Sequence, residues 1–220
     1  MKILPFLFAF SILVFGCGSK PIPDWKDASF NQLESYKKNY LIGKTKIAEL
    51  HFSKAIEEIK KSGDLKIMTM AYLTKFAVNV AVLENFDDRD YLNLEAVQDD
   101  PENKNFYNFL KGLFEQVDES LLPREYRGFL KTLRHGGEKD MEQEIAKIEE
   151  PLSKLIVAGL LVRKHRCPEV ILKAAADTAS ENGWKKALVA YLTELQSFYE
   201  TKKEMEKAAN IQRRLQLINN

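Results

Sequence analysis

The chain has 220 residues, 33 Lys+Arg against 32 Asp+Glu, and a formal net charge of +1. That balance lacks the basic excess of a nucleic-acid binder, so no nucleic acid is expected as a partner. Two cysteines, Cys17 and Cys167, are too few for a disulfide framework, so stability has to come from a hydrophobic core.

The first 17 residues, MKILPFLFAFSILVFGC, set the address of everything after them. Lys2 is followed by an uncharged, mostly apolar run from Ile3 to Phe15, then Gly16 and Cys17. A cation, an apolar stretch and a small residue are the parts of an export signal. The run falls short of the ~20 residues that cross a bilayer as a helix. It carries no polar face, and Pro5 interrupts its first turn, so it does not read as a core helix either. Val14-Phe15-Gly16-Cys17 resembles the lipobox of bacterial lipoproteins. Gly16 and Cys17 match the pattern, Val14 replaces the usual Leu, and Phe15 stands where small or β-branched residues are commoner. The resemblance implies cleavage after Gly16 and lipidation of Cys17. The protein would then be held to a membrane by two or more acyl chains, which anchor stably where one does not. Gly18 lacks the acid that marks inner-membrane retention, so the resemblance implies the periplasmic face of the outer membrane. Removing residues 1–16 leaves 204 of the 220 residues, with 32 cations against 32 acids.

Residues 17–23 hold Gly18, Pro21 and Pro23 and read as an extended tether ahead of one all-α domain, 24–220. Asp24 is expected to cap a first helix carrying Trp25, Phe30, Leu33, Tyr36 and Tyr40 at helical spacing. A second amphipathic helix has Ala55, Ile56 and Ile59 inward and stops at Ser62-Gly63. A third, with Met68, Ala71, Tyr72, Phe76, Val80 and Leu83, has an apolar stripe wide enough to pack on both flanks. Residues 84–105 hold eight acids against Arg89 and Lys104 and read as a solvated loop around a short helix at 91–97. Phe106, Phe109, Leu110, Leu113 and Val117 suggest the next helix. Another starts at Pro123 and ends at His135-Gly136-Gly137. Met141, Ile145 and Ile148 form a polar-rich helix broken by Pro151. Leu152–Arg163 is strongly apolar. Pro168 opens a helix to Asn182-Gly183, and two more run over about 184–200 and 203–218. No stretch alternates with period two, so no sheet is expected.

Shifting the chain by 34 residues aligns Leu161 with Leu195, His165 with Tyr199, Ile171 with Met205 and Ala174 with Ala208. It also aligns Ile42 with Phe76 and Phe52 with Phe86. These positions resemble the tetratricopeptide pattern, best over 36–83 and 154–218, while 86–150 shows no repeat. The fold class expected is therefore all-α, either a TPR-like stack of helix pairs or an irregular helical bundle. The resemblance implies a concave surface that holds a segment of a partner.

The sequence contains no phosphate-binding glycine loop, nucleophile elbow or zinc-protease motif, and no cofactor is expected. His165 and Cys167 are two metal-binding types two residues apart, but a structural zinc site needs four ligands. Asp88 and Asp90 open like a calcium loop that lacks its Gly and closing Glu. No catalytic residue and no metal ligand is singled out. Arg163, Lys164, His165 and Arg166 form the charged run best suited to a contact patch. The function expected is a lipid-anchored, non-catalytic interaction or assembly factor of the envelope, with an envelope protein as partner. The alternatives are an all-α envelope enzyme such as a cell-wall hydrolase, which needs a buried carboxylic acid in a cleft, or a carrier of a small apolar ligand.

Overall fold

The computed structural model describes residues 23–219. Cys17, Gly16 and the tether up to residue 22 lie outside the described residues. Eleven α-helices follow one another: α1 Asp24–Leu41, α2 Thr45–Lys60, α3 Leu65–Ala81, α4 Arg89–Val97, α5 Pro101–Leu110, α6 Arg124–His135, α7 Glu138–Ala146, α8 Pro151–Arg163, α9 Glu169–Glu181, α10 Lys185–Thr201 and α11 Met205–Asn219. Short 3-10 turns at Phe114–Gln116 and Glu119–Leu121 join α5 to α6. The fold is all-α, and the described residues contain no strand.

Two helices sit at the centre. In α3, Phe76 through Ala81 are all buried; in α8, Leu155 through Leu161 are all buried. A helix buried on consecutive positions has neighbours on every side, which explains why neither shows a clean polar face. α3 packs directly on α8 although about 80 residues separate them in the chain. Gly159 marks their closest approach: a Cβ there would collide with the Val80 carbonyl. Around this pair, α1, α2, α4 and α5 cover α3, while α6, α7 and α9 cover α8. α9, α10 and α11 stack in sequence, and α10 returns to touch α1. A one-dimensional solenoid touches only its neighbours. The α3–α8 and α1–α10 contacts join helices far apart in the chain, while α1–α2–α3 and α9–α10–α11 each pack in chain order, so the all-α fold combines stacked helices at both ends with a central helix pair that the stacks alone would not bring together. Within the C-terminal stack the 34-residue alignment slips. Ala208 is buried, but its counterpart Ala174 is exposed, and Ala175, Ala176 and Ala179 line the inner face of α9 instead.

Helix ends account for most departures from the expected boundaries. Asp24 is the first residue of α1 and caps nothing with its side chain; its charge lies in the first turn together with Asp27. Asp99-Asp100-Pro101 begins a helix instead of a loop. Pro101 takes the first position, where its missing N–H is harmless, and Asp100 accepts from Asn103 N at 2.9 Å. That helix stops at Leu110, so Leu113 and Val117 lie beyond it; Gly112, at φ +70°, turns the chain away.

The acidic stretch 84–105 is tied down. Glu84 pairs with Lys186 at 2.8 Å, Asp88 with Lys111 at 2.9 Å, Glu95 with Lys104 at 3.2 Å and Asp100 with Lys66 at 2.8 Å. The Lys66 ammonium, then the Asn103 amide, hold the Asp100 carboxyl below the usual carboxylate range. Folding thus favours its charged form. Its contribution is complete above the unfolded value of about 3.9 and is lost as pH falls through the lowered folded value. Asp100→Asn keeps an acceptor at the cap but no charge. Its urea midpoint is expected to lie below wild type at neutral pH and to converge with it on acidification below about pH 4. A constant gap across that range would rule out the ion pair as the cause.

Candidate functional site

α8 ends in a tight reversal. His165 N donates to Val162 O at 2.9 Å and Arg166 N donates to Leu161 O at 3.0 Å. This paired closure, a Schellman motif, needs a left-handed residue at its corner, usually glycine. Here the corner is His165 at φ +53°. Pro168 then stands at the cap of α9. The compact link between α8 and α9 thrusts Lys164, His165 and Arg166 into solvent side by side. A non-glycine residue in the left-handed region costs about 1 kcal/mol. His165→Gly is therefore expected to raise the unfolding free energy by about that amount, read as a higher urea midpoint at unchanged slope. A lower midpoint would show that the imidazole makes compensating contacts.

The four-residue run divides. Arg163 turns inward, where its guanidinium donates to the Glu84 carbonyl at the end of α3. Burial draws its titration below the usual arginine range. Arg163 thus fastens the α8 terminus to the core, while Lys164, His165 and Arg166 form the exposed set.

Two recesses flank that set. The larger, about 850 Å³, is an open groove between the α6–α7 junction and the start of α9, closed at one side by α10. Leu133, Met141, Leu161, Val170 and Phe198 supply apolar surface; Arg166, Lys173 and Lys202 supply cations, and Glu142 and Glu169 the facing acids. Glu169 is already engaged, by Lys173 at 2.6 Å and by the Tyr199 hydroxyl at 2.7 Å. Those partners, Lys173 first, hold its carboxyl below the usual range. The smaller recess, about 430 Å³, lies between Gly112–Gln116 and the α8–α9 link. Arg134, Lys164 and Arg166 line it, with Glu115 as its acid. Leu133 and Arg166 belong to both recesses. Arg134 is held in place by donating to the carbonyls of Phe114 and Val117, the latter at 2.7 Å. Its Nε is shut from solvent and has no acceptor. Among the described residues, Arg134, Lys164, Arg166 and Lys202 pair with no carboxylate.

Cys167 lines the larger groove but is half-buried, and burial pushes its thiol up to about 12. It is a thiol at neutral pH and therefore a poor nucleophile or metal ligand. The described residues contain no cluster of three His, Cys, Asp or Glu side chains placed to hold a metal. Five acids have displaced titrations, Asp87, Asp88, Asp100, Asp118 and Glu169, and all five move down. A general acid needs the opposite shift, so none of these five suits that role. Among the described residues, no helix is long and apolar enough to cross a membrane.

Sequence reasoning singled out Arg163, Lys164, His165 and Arg166, which are contiguous, and the structure leaves the last three exposed beside the recesses. It missed Leu133, Arg134, Phe198 and Lys202, which reach the site from α6 and α10. No local pattern marks them, because the fold alone brings them together. Compared with known proteins, the chain matches no family model, no curated protein and no solved structure.

Proposed function

We propose that this chain is a lipid-anchored envelope protein, tethered through Cys17, whose helical body binds a segment of a partner protein in the groove beside Arg166. The lipobox-like end carries the anchoring part of this reading, and the groove carries the binding part. An open trough of about 850 Å³, lined by apolar side chains together with three cations and two acids, suits a peptide segment. A small apolar ligand would want an enclosed cavity instead. The outer membrane, periplasmic face, remains the proposed location because Gly18 follows Cys17.

Crosslinking in intact cells tests both parts. Full-length protein, Cys17→Ala and Val170→Asp are compared by capture of crosslinked partners from the envelope fraction. Val170 is exposed in the groove, so its substitution should leave the fold intact. The expected result is a partner held by the wild type, released by Val170→Asp, and lost from the membrane fraction with Cys17→Ala. A wild-type protein that captures nothing would overturn the reading.

A further inference from the structure

We propose that the two recesses on either side of Arg166 form one bipartite site for an acidic peptide segment. An acidic side chain sits among Arg134, Lys164 and Arg166, and an apolar side chain sits against Leu133, Met141 and Phe198. The inference rests on the interaction reading above and specifies the partner's chemistry.

Continuity is the first argument. Arg166 and Leu133 line both recesses, so an extended segment, advancing about 3.3 Å per residue, passes from one to the other over a few residues. Charge is the second. The smaller recess holds three cations against Glu115, in a chain whose overall charge is nearly balanced. One of the three is held in advance, and a second rests its stem against the wall. Arg134 is clamped by two carbonyls. Lys164 lays its stem over Gly112, where a Cβ would come within 2.7 Å of its Cε, and its Nζ lies 5.8 Å from the centre of the Phe114 ring. Cations gathered at the wall of a concave recess without a carboxylate partner create a local positive potential that favours an anion. Shape is the third argument. A bilayer surface meets a protein across a flat or convex face, whereas these cations line hollows. An acyl chain needs enclosure, and the larger groove is partly open to solvent. Lys173 is already matched by Glu169, so Arg166 and Lys202 are the cations on its rim that pair with no carboxylate among the described residues and are placed to select charge.

The test is selection of random 12-residue peptides displayed on phage against full-length protein in detergent micelles. The tightest peptide is then titrated by fluorescence anisotropy. Selected peptides are expected to carry Asp or Glu together with an aliphatic or aromatic residue a few positions away. Affinity should fall roughly tenfold with Arg166→Gln and further with Lys164→Gln added. It should also fall as salt rises from about 50 to about 300 mM. Both substituted side chains are exposed, so the fold should be unaffected, and Lys60→Gln on α2, outside both recesses, should bind like wild type. Neutral or basic selected peptides, no selected peptides, or an affinity indifferent to Arg166→Gln would each overturn the proposal. So would binding to anionic lipid vesicles that depends on Arg166 in the absence of peptide binding. A cellular partner lost with Val170→Asp but kept with Arg166→Gln would sink this inference and leave the interaction reading standing. Acidic peptides bound through Arg166 without any cellular partner would do the reverse.

Discussion

Gly159→Ala is expected to lower the unfolding free energy by about 2 kcal/mol, and the midpoint of thermal unfolding by roughly 6 °C. The sign is the informative part. Gly159 lies inside α8, and in an unpacked helix alanine would be better there by about 1 kcal/mol. In this fold the added methyl meets the carbonyl of Val80 on α3, the carbonyl carbon at 3.0 Å and the Val80 Cγ1 at 3.2 Å. The first two obstacles are backbone, so no side-chain rotation removes them, and the two central helices have to separate. Overpacking of this kind typically costs 1–3 kcal/mol. Val80→Ala removes only the least of the three contacts and leaves a void, so Val80→Ala/Gly159→Ala is expected to be less stable than either single variant. Urea denaturation at equilibrium decides between the effects. A stabilised Gly159→Ala would mean that helix propensity prevails and that α3 and α8 do not approach as closely as described.

The sequence pattern revealed this architecture unevenly, for reasons that can be traced residue by residue. Apolar periodicity located the helices, because burial and helical spacing are both local properties of the chain. Gly63 and Gly183 marked helix ends because left-handed turns favour glycine. Leu83, His165 and Lys203 occupy the same kind of left-handed corner without being glycine, and their turns left no such mark. Asp99-Asp100-Pro101 looked like a loop because an aspartate before a proline signals both a turn and a helix start. Gly159 drew no notice inside the apolar run Leu152–Arg163, since the reason for it lies on α3. The acids of residues 84–105 looked solvated because their cations, Lys66, Lys111 and Lys186, come from other helices. The site followed the same rule. Lys164, His165 and Arg166 were legible as a run, but the hollows beside the run are built from α6, α7, α9, α10 and the turn after α5. Recesses assembled from separated segments have no sequence period.

Glu84→Ala is expected to cost about 2 kcal/mol, because one side chain there joins both ends of the described chain. Glu84 Oε2 accepts from the Tyr40 hydroxyl of α1 at 2.6 Å and lies 2.8 Å from Lys186 Nζ of α10. The Lys186 ammonium also sits 3.7 Å from the centre of the Tyr40 ring. The Lys186 side chain is only 18% exposed, so removing its counter-charge strands a poorly hydrated cation. Breaking a fully buried pair costs 3–5 kcal/mol; Glu84, at 43% exposure, is wet enough to bring the figure down. Without Glu84 the single Tyr40 hydroxyl proton can turn to Asn79 Oδ1, 2.9 Å away, which limits the loss on its side. Lys186→Met alone should be milder, because the methionine stem can still cover the Tyr40 ring. A double-mutant cycle is therefore expected to return a coupling of at least about 1 kcal/mol, with Glu84→Ala/Lys186→Met more stable than the single effects summed. Strict additivity would show that the pair contributes only as separate side chains. Hydrogen exchange carries the argument to the architecture. If the Glu84 junction is what closes α10 onto α1, its loss should free α9–α11 to open as a unit while α3 and α8 stay protected. If exchange instead rises uniformly, all the helices share one cooperative core, and the C-terminal stack has no stability of its own to lose.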